Sequence, residues 1–323
     1  MNYCFASQKK FALLLAGCAF ASAVGAQTYP AKPVRIVVPY PPGAGVDIMT
    51  RLFTPRLSEK LGQQFIVENR AGAGGNIGAE AVSRAAPDGY TLLMAPASIA
   101  ISQSVYKNLR YDLRRDFEAI ALVASVPFVL VVHPSLPVKT TRDLIALSKA
   151  HPGQLTFASA GSGSSSHLIA AMFNMQAGIN MLHVPYKGTV PMVTDVIAGQ
   201  VSLTFANTLS VLPQVNAGRL RALAITSAKR SAAAPGLPSV AESGLPGFEA
   251  TTWFALLAPA GTPREIIARL NAITAEIAQE MRGRIAEQGA EPLGGTPEQV
   301  ARHIAMEVAK WAKVVAASGA RAD

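Results

Sequence analysis

Short apolar runs rich in β-branched residues alternate along the chain with longer stretches in which apolar residues recur every three to four positions. The short runs predict buried strands at 34–38, 65–68, 91–95, 119–123, 128–132, 156–158, 181–184, 202–206, 222–226 and 253–258. The periodic stretches predict helices at 48–61, 77–85, 141–149, 166–177, 190–198, 212–217, 263–288 and 297–315. Punctuation agrees with these limits. Gly62, Gly178, Gly199 and Gly218 each follow a periodic run, where a C-terminal glycine belongs. Thr262-Pro263 and Thr296-Pro297 each place threonine at the N-cap and proline at the first helical position. Strands alternating with helices in this way predict an α/β fold with largely parallel sheets. No repeat of 20 to 50 residues, low-complexity tract or long linker interrupts the pattern.

The junctions between strands and helices carry the candidate chemistry. Val34-Arg35-Ile36-Val37-Val38 runs into Pro39-Tyr40-Pro41-Pro42-Gly43-Ala44-Gly45-Val46-Asp47 and then into a helix-like run. Proline gives the strand ladder no donor and glycine favours turns, so the strand ends there. A glycine loop followed by a helix start offers unpaired backbone N–H groups at the positive end of a helix dipole, which suits a small anion. A second such loop is Ala158-Ser159-Ala160-Gly161-Ser162-Gly163-Ser164-Ser165-Ser166-His167, where hydroxyls add donors. His183-Val184-Pro185-Tyr186-Lys187-Gly188-Thr189, Ala71-Gly72-Ala73-Gly74-Gly75-Asn76-Ile77-Gly78 and Phe205-Ala206-Asn207-Thr208 also follow predicted strands. Open α/β sheets bind ligands at these carboxyl ends.

Each loop also has a plainer reading, as an ordinary tight connection. Gly72 to Gly78 is spaced G-x-G-x-x-x-G and so departs from the dinucleotide fingerprint, and no phosphate-loop motif occurs. His167 beside Ser164 to Ser166 could serve as a base, but no G-x-S-x-G elbow accompanies it, and a helix-end histidine can simply bond its own loop. His133, His151, His183 and His303 lack metal-ligand spacing, so neither a metal nor a cofactor is expected. Lys187 reads as a ligand cation or a solvated lysine, and Tyr186 as a pocket wall or packing. Trp253 and Phe254 read as core.

The N-terminus reads as an export signal. Lys9 and Lys10 precede an apolar run from Phe11 to Val24, and Val24-Gly25-Ala26 forms a small-residue cleavage site. Fourteen apolar residues are too few to span a bilayer as a helix. Leu15-Ala16-Gly17-Cys18 also has the form of a lipid-attachment box, so cleavage after Ala26 and anchoring at Cys18 both stand as readings. Cleavage after Ala26 leaves 297 of the 323 residues, which are enough for two domains. Both cysteines, Cys4 and Cys18, fall in the signal, so the mature chain has no disulfide. The net charge falls from +9 to +7 when Lys9 and Lys10 are removed. Scattered basic residues on an exported chain argue against nucleic acid and for a modest field that draws anions.

Several motifs together resemble the Bug family. They are Tyr29-Pro30-x-Lys32-Pro33, Pro41-Pro42-Gly43 with Asp47, Val67-Glu68-Asn69-Arg70-x-Gly72-Ala73-Gly74-Gly75-Asn76-Ile77-Gly78 and Ala86-Pro87-Asp88-Gly89-Tyr90-Thr91. His183-Val184-Pro185-Tyr186-Lys187-Gly188, Thr226-Ser227-Ala228-Lys229-Arg230, Leu257-Ala258-Pro259-Ala260-Gly261-Thr262-Pro263 and Gln288-Gly289-Ala290-Glu291-Pro292 extend the match from Tyr29 to the C-terminus. This family comprises the periplasmic solute receptors of tripartite tricarboxylate transporters. The resemblance implies a two-lobed periplasmic-binding-protein fold of type II-like form, each lobe a mostly parallel sheet flanked by helices. Residues 1–26 would be the signal, 27–125 plus 251–323 the first lobe and 126–250 the second, joined by crossings near 123–128 and 250–253.

It also implies a small mono- or dicarboxylate ligand, no catalysis, membrane transporter components as partners, a monomer, and a periplasmic location. Ligand-contacting positions on this reading are Pro42, Gly43, Ala44, Asp47, Ser98, Gly161, Ser162, Gly163, Ser164, Ser165, His167, Tyr186, Lys187, Ala206 and Asn207. Two departures from the family pattern bear on the ligand. Ala44 stands where the family has a second glycine, which restricts the backbone at that residue. Ala206 stands where the family often has aspartate, which bears on amine-carrying ligands. An exported serine hydrolase and a partner of a membrane sensor kinase are the competing readings.

Overall fold

The computed structural model describes residues 29–231 and 234–318. The proposed signal, with Cys4, Cys18 and its cleavage site, lies outside them. In chain order the elements are β1 (Val34–Val38), α1 (Gly45–Leu61), β2 (Phe65–Asn69), α2 (Asn76–Ser83), β3 (Thr91–Pro96), α3 (Ser98–Val105) and β4 (Phe117–Val132). Then follow α4 (Thr141–Ala150), β5 (Thr156–Ser159), α5 (Ser165–Ala177), β6 (Leu182–Pro185), α6 (Thr189–Ile197), β7 (Leu203–Asn207), α7 (Thr208–Asn216) and β8 (Arg221–Ile225). The chain ends with β9 (Thr251–Pro259), α8 (Arg264–Glu280), α9 (Arg282–Glu287), β10 (Glu291–Pro292) and α10 (Pro297–Ser318).

The sheet is mixed. Its strands run in the order β2-β1-β3-β9-β4-β7-β5-β6, with β8 and β10 also paired to β4. The outer strands pair in parallel, β1 with β2 and β3, and β5 with β6 and β7. The crossing strands β4 and β9 pair antiparallel with each other and with their neighbours. The parallel strands expected from the sequence therefore form the two ends, and two antiparallel crossings join them.

β4 is where local pattern and tertiary structure part. The sequence reads as two strands, 119–123 and 128–132, broken near Ser125 and Pro127. The structure makes one strand of 16 residues. Its first part, through Pro127, pairs with β9, and from Phe128 onward it pairs with β7 and β8. Pro127 lies at the handover between partners, where a missing N–H costs least. Beside it, Phe128 N donates to the Thr226 hydroxyl at 2.8 Å.

Three helices also differ from expectation. α3 is absent from the amphipathic pattern because Ile99, Ala100, Ile101 and Ser102 are all buried, leaving no polar face to mark a period. α7 begins four residues before the expected 212, because Asn207 caps it by accepting from Ser210 N at 3.0 Å. The expected helix 263–288 breaks at Met281 into α8 and α9.

Each end of the sheet has cores on both faces. One pair gathers around β1, β3 and β9, with Phe53, Leu92, Met94, Leu256 and Ile277 on one face and Leu93, Ala95 and Leu257 on the other. The other pair gathers around β5 and β7, with Phe157, Phe173 and Phe205 on one face and Met192, Val196 and Val211 on the other. α10 touches both ends. Val300, Ile304 and Val308 join a core of the first, while Trp311 and Val315 join a core of the second. Among the described residues no helix is long and apolar enough to cross a membrane.

Candidate functional site

Both glycine loops form, and both are held from within. After β1 the chain turns at Gly43, whose φ is +83°. Its N–H donates to Asp47 Oδ2 at 2.9 Å, and Ala44 N donates to Pro41 O at 3.3 Å. The buried Asp47 carboxylate also accepts from Arg51 Nε at 3.0 Å and Asn69 Nδ2 at 2.9 Å. Burial alone would raise the Asp47 carboxyl. The hydrogen bonds from Arg51, Gly43 and Asn69, with the charge of Arg51, outweigh it and hold the group below the ordinary carboxylate range. Ala44 adopts φ −69° and ψ 153°, ordinary extended backbone, so alanine sits there without strain.

After β5, Gly161 and Gly163 take φ of +128° and +76°. Here too the loop amides are spent internally. Ala160 N donates to Ser166 Oγ at 2.9 Å, Gly161 N to Ser159 Oγ at 3.2 Å and Gly163 N to His167 Nδ1 at 3.0 Å. Ser164 caps α5, its hydroxyl accepting from His167 N at 3.4 Å.

The donors left over are in the first helical turns, whose N–H groups have no intrahelical partner. Gly45 and Val46 open α1 and line an inner chamber between the loops, as do Ser165 and Ser166 of α5. Three more helices begin on the same chamber. α3 brings Ser98, α6 brings Thr189, and α7 brings its cap Asn207. Five helix N-termini thus meet around one space, each carrying partial positive charge. Among the described residues lining this chamber none has a charged side chain. Its remaining walls are apolar, with Phe128, Phe205, Phe254, Met192 and Ala206.

The chamber is small, with a volume of about 50 Å³. A wider outer chamber of about 720 Å³ shares Tyr40 and Ala160 with it. The outer wall is made by Gly72 to Gly75 on one side and by Gly161, Ser162, Tyr186 and Lys187 on the other. Lys187 is exposed, and it is the one charged side chain among the described residues lining either chamber. Tyr186 is already engaged, its hydroxyl donating to Asp195 Oδ2 at 2.8 Å. Burial, then that bond to a carboxylate and its charge, push the Tyr186 phenol up to about 12. Tyr40 joins the chambers, its hydroxyl 3.0 Å from Ser98 Oγ and 3.1 Å from Gly74 O, and burial pushes it too up to about 12.

Of the positions singled out in the sequence, the inner chamber gathers Ala44, Ser98, Ser164, Ser165, Ala206 and Asn207. The outer chamber gathers Gly161, Ser162, Tyr186 and Lys187. Pro42, Gly43, Asp47, Gly163 and His167 line neither. His167 Nδ1 is taken by the Gly163 amide rather than by a serine hydroxyl, which leaves the serine–histidine reading without its geometry. Among the described residues no group of three His, Cys, Asp or Glu could hold a metal ion. Outside the candidate contact positions, Tyr40, Gly45, Val46, Pro96, Phe128, Met192 and Thr252 also line the inner chamber. A signal existed for Gly45 and Val46, since they directly precede Asp47 at a predicted helix start.

The family model described as the tripartite tricarboxylate transporter family receptor (TctC) matches residues 49–320. The chain belongs to this receptor family. A curated relative, Protein BugT of Bordetella pertussis, is 41% identical over 313 residues, covering 96% of each chain. Among solved structures, an R. palustris protein with adipate superposes with a TM-score of 0.88 at 38% identity, covering 91% of this chain and 99% of that one. MatC from Rhodopseudomonas palustris, with bound malate, superposes at 0.82 with 32% identity, covering 89% and 100%. The family is one of periplasmic solute-binding receptors rather than enzymes, and this chain has its two-lobed fold.

Proposed function

We propose that this receptor takes a small mono- or dicarboxylate into the two chambers and passes it to the membrane components of a tripartite tricarboxylate-type transporter. The observation that carries this is the convergence of five helix N-termini on a chamber lined by no charged side chain. Such a place favours an anion through backbone dipoles. The adipate and malate held by the two R. palustris neighbours support the same ligand class. The small inner chamber admits one carboxylate end, and the rest of the ligand extends past Tyr40 into the outer chamber.

On this reading Gly45, Val46, Ser98, Ser165, Ser166 and Asn207 surround the carboxylate, and Lys187 faces the distal part. Ala206 gives an ammonium no acceptor, so des-amino acids bind better than the matching amino acids. The lobes, 27–125 with 251–323 and 126–250, close about β4 and β9. Export by the signal over residues 1–26 delivers the receptor to the periplasm.

Thermal unfolding with a panel of millimolar adipate, malate, other carboxylates and amino acids tests the reading. A ligand at 100 times its dissociation constant stabilises by about 2.7 kcal/mol, which moves the melting temperature by several degrees. A panel in which no carboxylate shifts it overturns the proposal, and tight aspartate binding overturns the role given to Ala206.

A further inference from the structure

Two histidines that line neither chamber stack face to face behind the second glycine loop. The rings of His167 and His183 have centroids 3.9 Å apart and lie within 5° of parallel. Phe157 of β5 continues the stack, 4.9 Å from His183. One ring meets a glycine amide directly, and the other is linked to the second amide through Ser159. His167 Nδ1 accepts from Gly163 N directly. His183 Nε2 lies 2.6 Å from Ser159 Oγ, the hydroxyl that accepts from Gly161 N. Ser159 is fully buried, so water does not compete for that hydroxyl.

We propose that His167 and His183 are positioning residues for the ligand: as a stacked pair they fix the Gly161 and Gly163 amides, and so aim the first turn of α5 at the inner chamber. This rests on the receptor function proposed above. The chemistry requires neutral rings. Nδ1 of His167 must keep its lone pair to accept from an amide, which puts its proton on Nε2. Two imidazolium rings in parallel contact would repel. Burial lowers His167, and burial with the neighbouring ring lowers His183 to about 4, in keeping with a neutral pair. The loop they hold contains two glycines at positive φ, whose freedom is large when unpinned. A ligand that had to order this loop itself would bind more weakly.

The test compares acceptors of different kind at one position. In His167→Asn the amide oxygen stands where Nδ1 stood, whereas His167→Leu fills the space without an acceptor. Ser159→Ala removes the other arm. Amide exchange at Gly161 and Gly163 is measured at pH 7 without ligand, and adipate binding by calorimetry on the same proteins. Loss of one such bond weakens binding by about tenfold. His167→Leu is expected to exchange at Gly163 at least about tenfold faster and to bind adipate about tenfold more weakly, with His167→Asn, which keeps the acceptor but loses the stacked ring, between it and the unmodified protein on both. Ser159→Ala is expected to show the same change at Gly161. Leu and Asn variants that behave alike overturn the proposal. So does a Ser159→Ala protein with unchanged Gly161 exchange and unchanged affinity, which decides the matter even if the Leu variant does not fold. Should the unmodified protein bind neither adipate nor malate, the carboxylate reading falls instead, and amide exchange still decides whether the rings hold the loop.

Discussion

The two glycine loops that face each other across the inner chamber are the same backbone device locked in two ways. In each, a positive-φ glycine turns the chain out of a strand and into a helix, and a side chain at the start of that helix reaches back to the glycine amide. In the first loop the lock is the Asp47 carboxylate, held in turn by Arg51 and Asn69. In the second it is the His167 ring, held by stacking on His183. A buried charge needs several donors around it, which the first loop supplies. A neutral ring needs one donor and a flat neighbour. Neither lock faces the ligand chambers. In both, the residues that look most functional in the sequence shape the loop, and plain backbone in the next turn is left to meet the anion.

The comparison breaks hardest at the glycines. A Cβ on Gly45 would lie 2.5 Å from Nδ2 of Asn207, the residue that caps α7, and Gly45 does not have positive φ. Gly45→Val is therefore expected to lose at least about a hundredfold in carboxylate affinity, roughly 2.7 kcal/mol, with some fall in melting temperature as the Asn207 cap is displaced. Gly163→Val differs, because its Cβ would meet Val105 Cγ1 at 2.6 Å and its φ is +76°. That variant is expected to lose more stability, as well as affinity. Calorimetric titration with thermal unfolding separates the two, and a Gly45→Val protein that binds normally would remove the first loop from the site.

Replacing each lock by asparagine sharpens the contrast. Asp47→Asn leaves Arg51, Asn69 and Gly43 with one weaker acceptor among them and is expected to cost about 2 kcal/mol of stability in denaturant unfolding. His167→Asn keeps its acceptor and loses only the ring contacts, so its loss is expected to be the smaller of the two. Equal losses would mean that the two locks are not different in kind.

Acid should release the locks in sequence. His183 is lowered from 6.5 to about 4 when folded, so between those values the unfolded chain takes up a proton that the folded chain does not. Its contribution is complete above pH 6.5 and is lost as pH falls toward 4. The lowered Asp47 carboxyl contributes fully above its ordinary 3.8 and is lost only as pH falls below that. Melting temperature followed from pH 7 to pH 3 should fall through both windows. In His183→Phe the slope in the upper window should flatten, and an unchanged slope there would contradict the assignment. The smallest effect is expected at Lys187, an exposed cation at the outer wall. Lys187→Ala should weaken binding less than about fivefold. Complete loss of binding in that variant would mean that a side-chain cation, not the helix termini, holds the anion.

The sequence by itself determined the alternation of strands and helices, the glycine loops at Pro41–Asp47 and Ala160–His167, and the places where most helices stop. These are local properties: periodicity, proline and glycine act through the residue and its neighbours in the chain. Tertiary structure alone decided that 117–132 is a single strand, because its continuity depends on β9 and then β7 and β8, which come later in the chain. It likewise decided that Ile99 and Ile101 sit in a helix, since residues buried on every side show no period. At the site, the sequence supplied Gly43, Asp47, Gly163 and His167 as candidates but could not say whether their groups face the ligand or each other. That depends on which partner takes each donor, and two decisive partners, Asn69 and His183, lie on other strands. Phe128, Met192 and Thr252 are brought to the chamber by the same folding, with nothing in their local sequence to announce it.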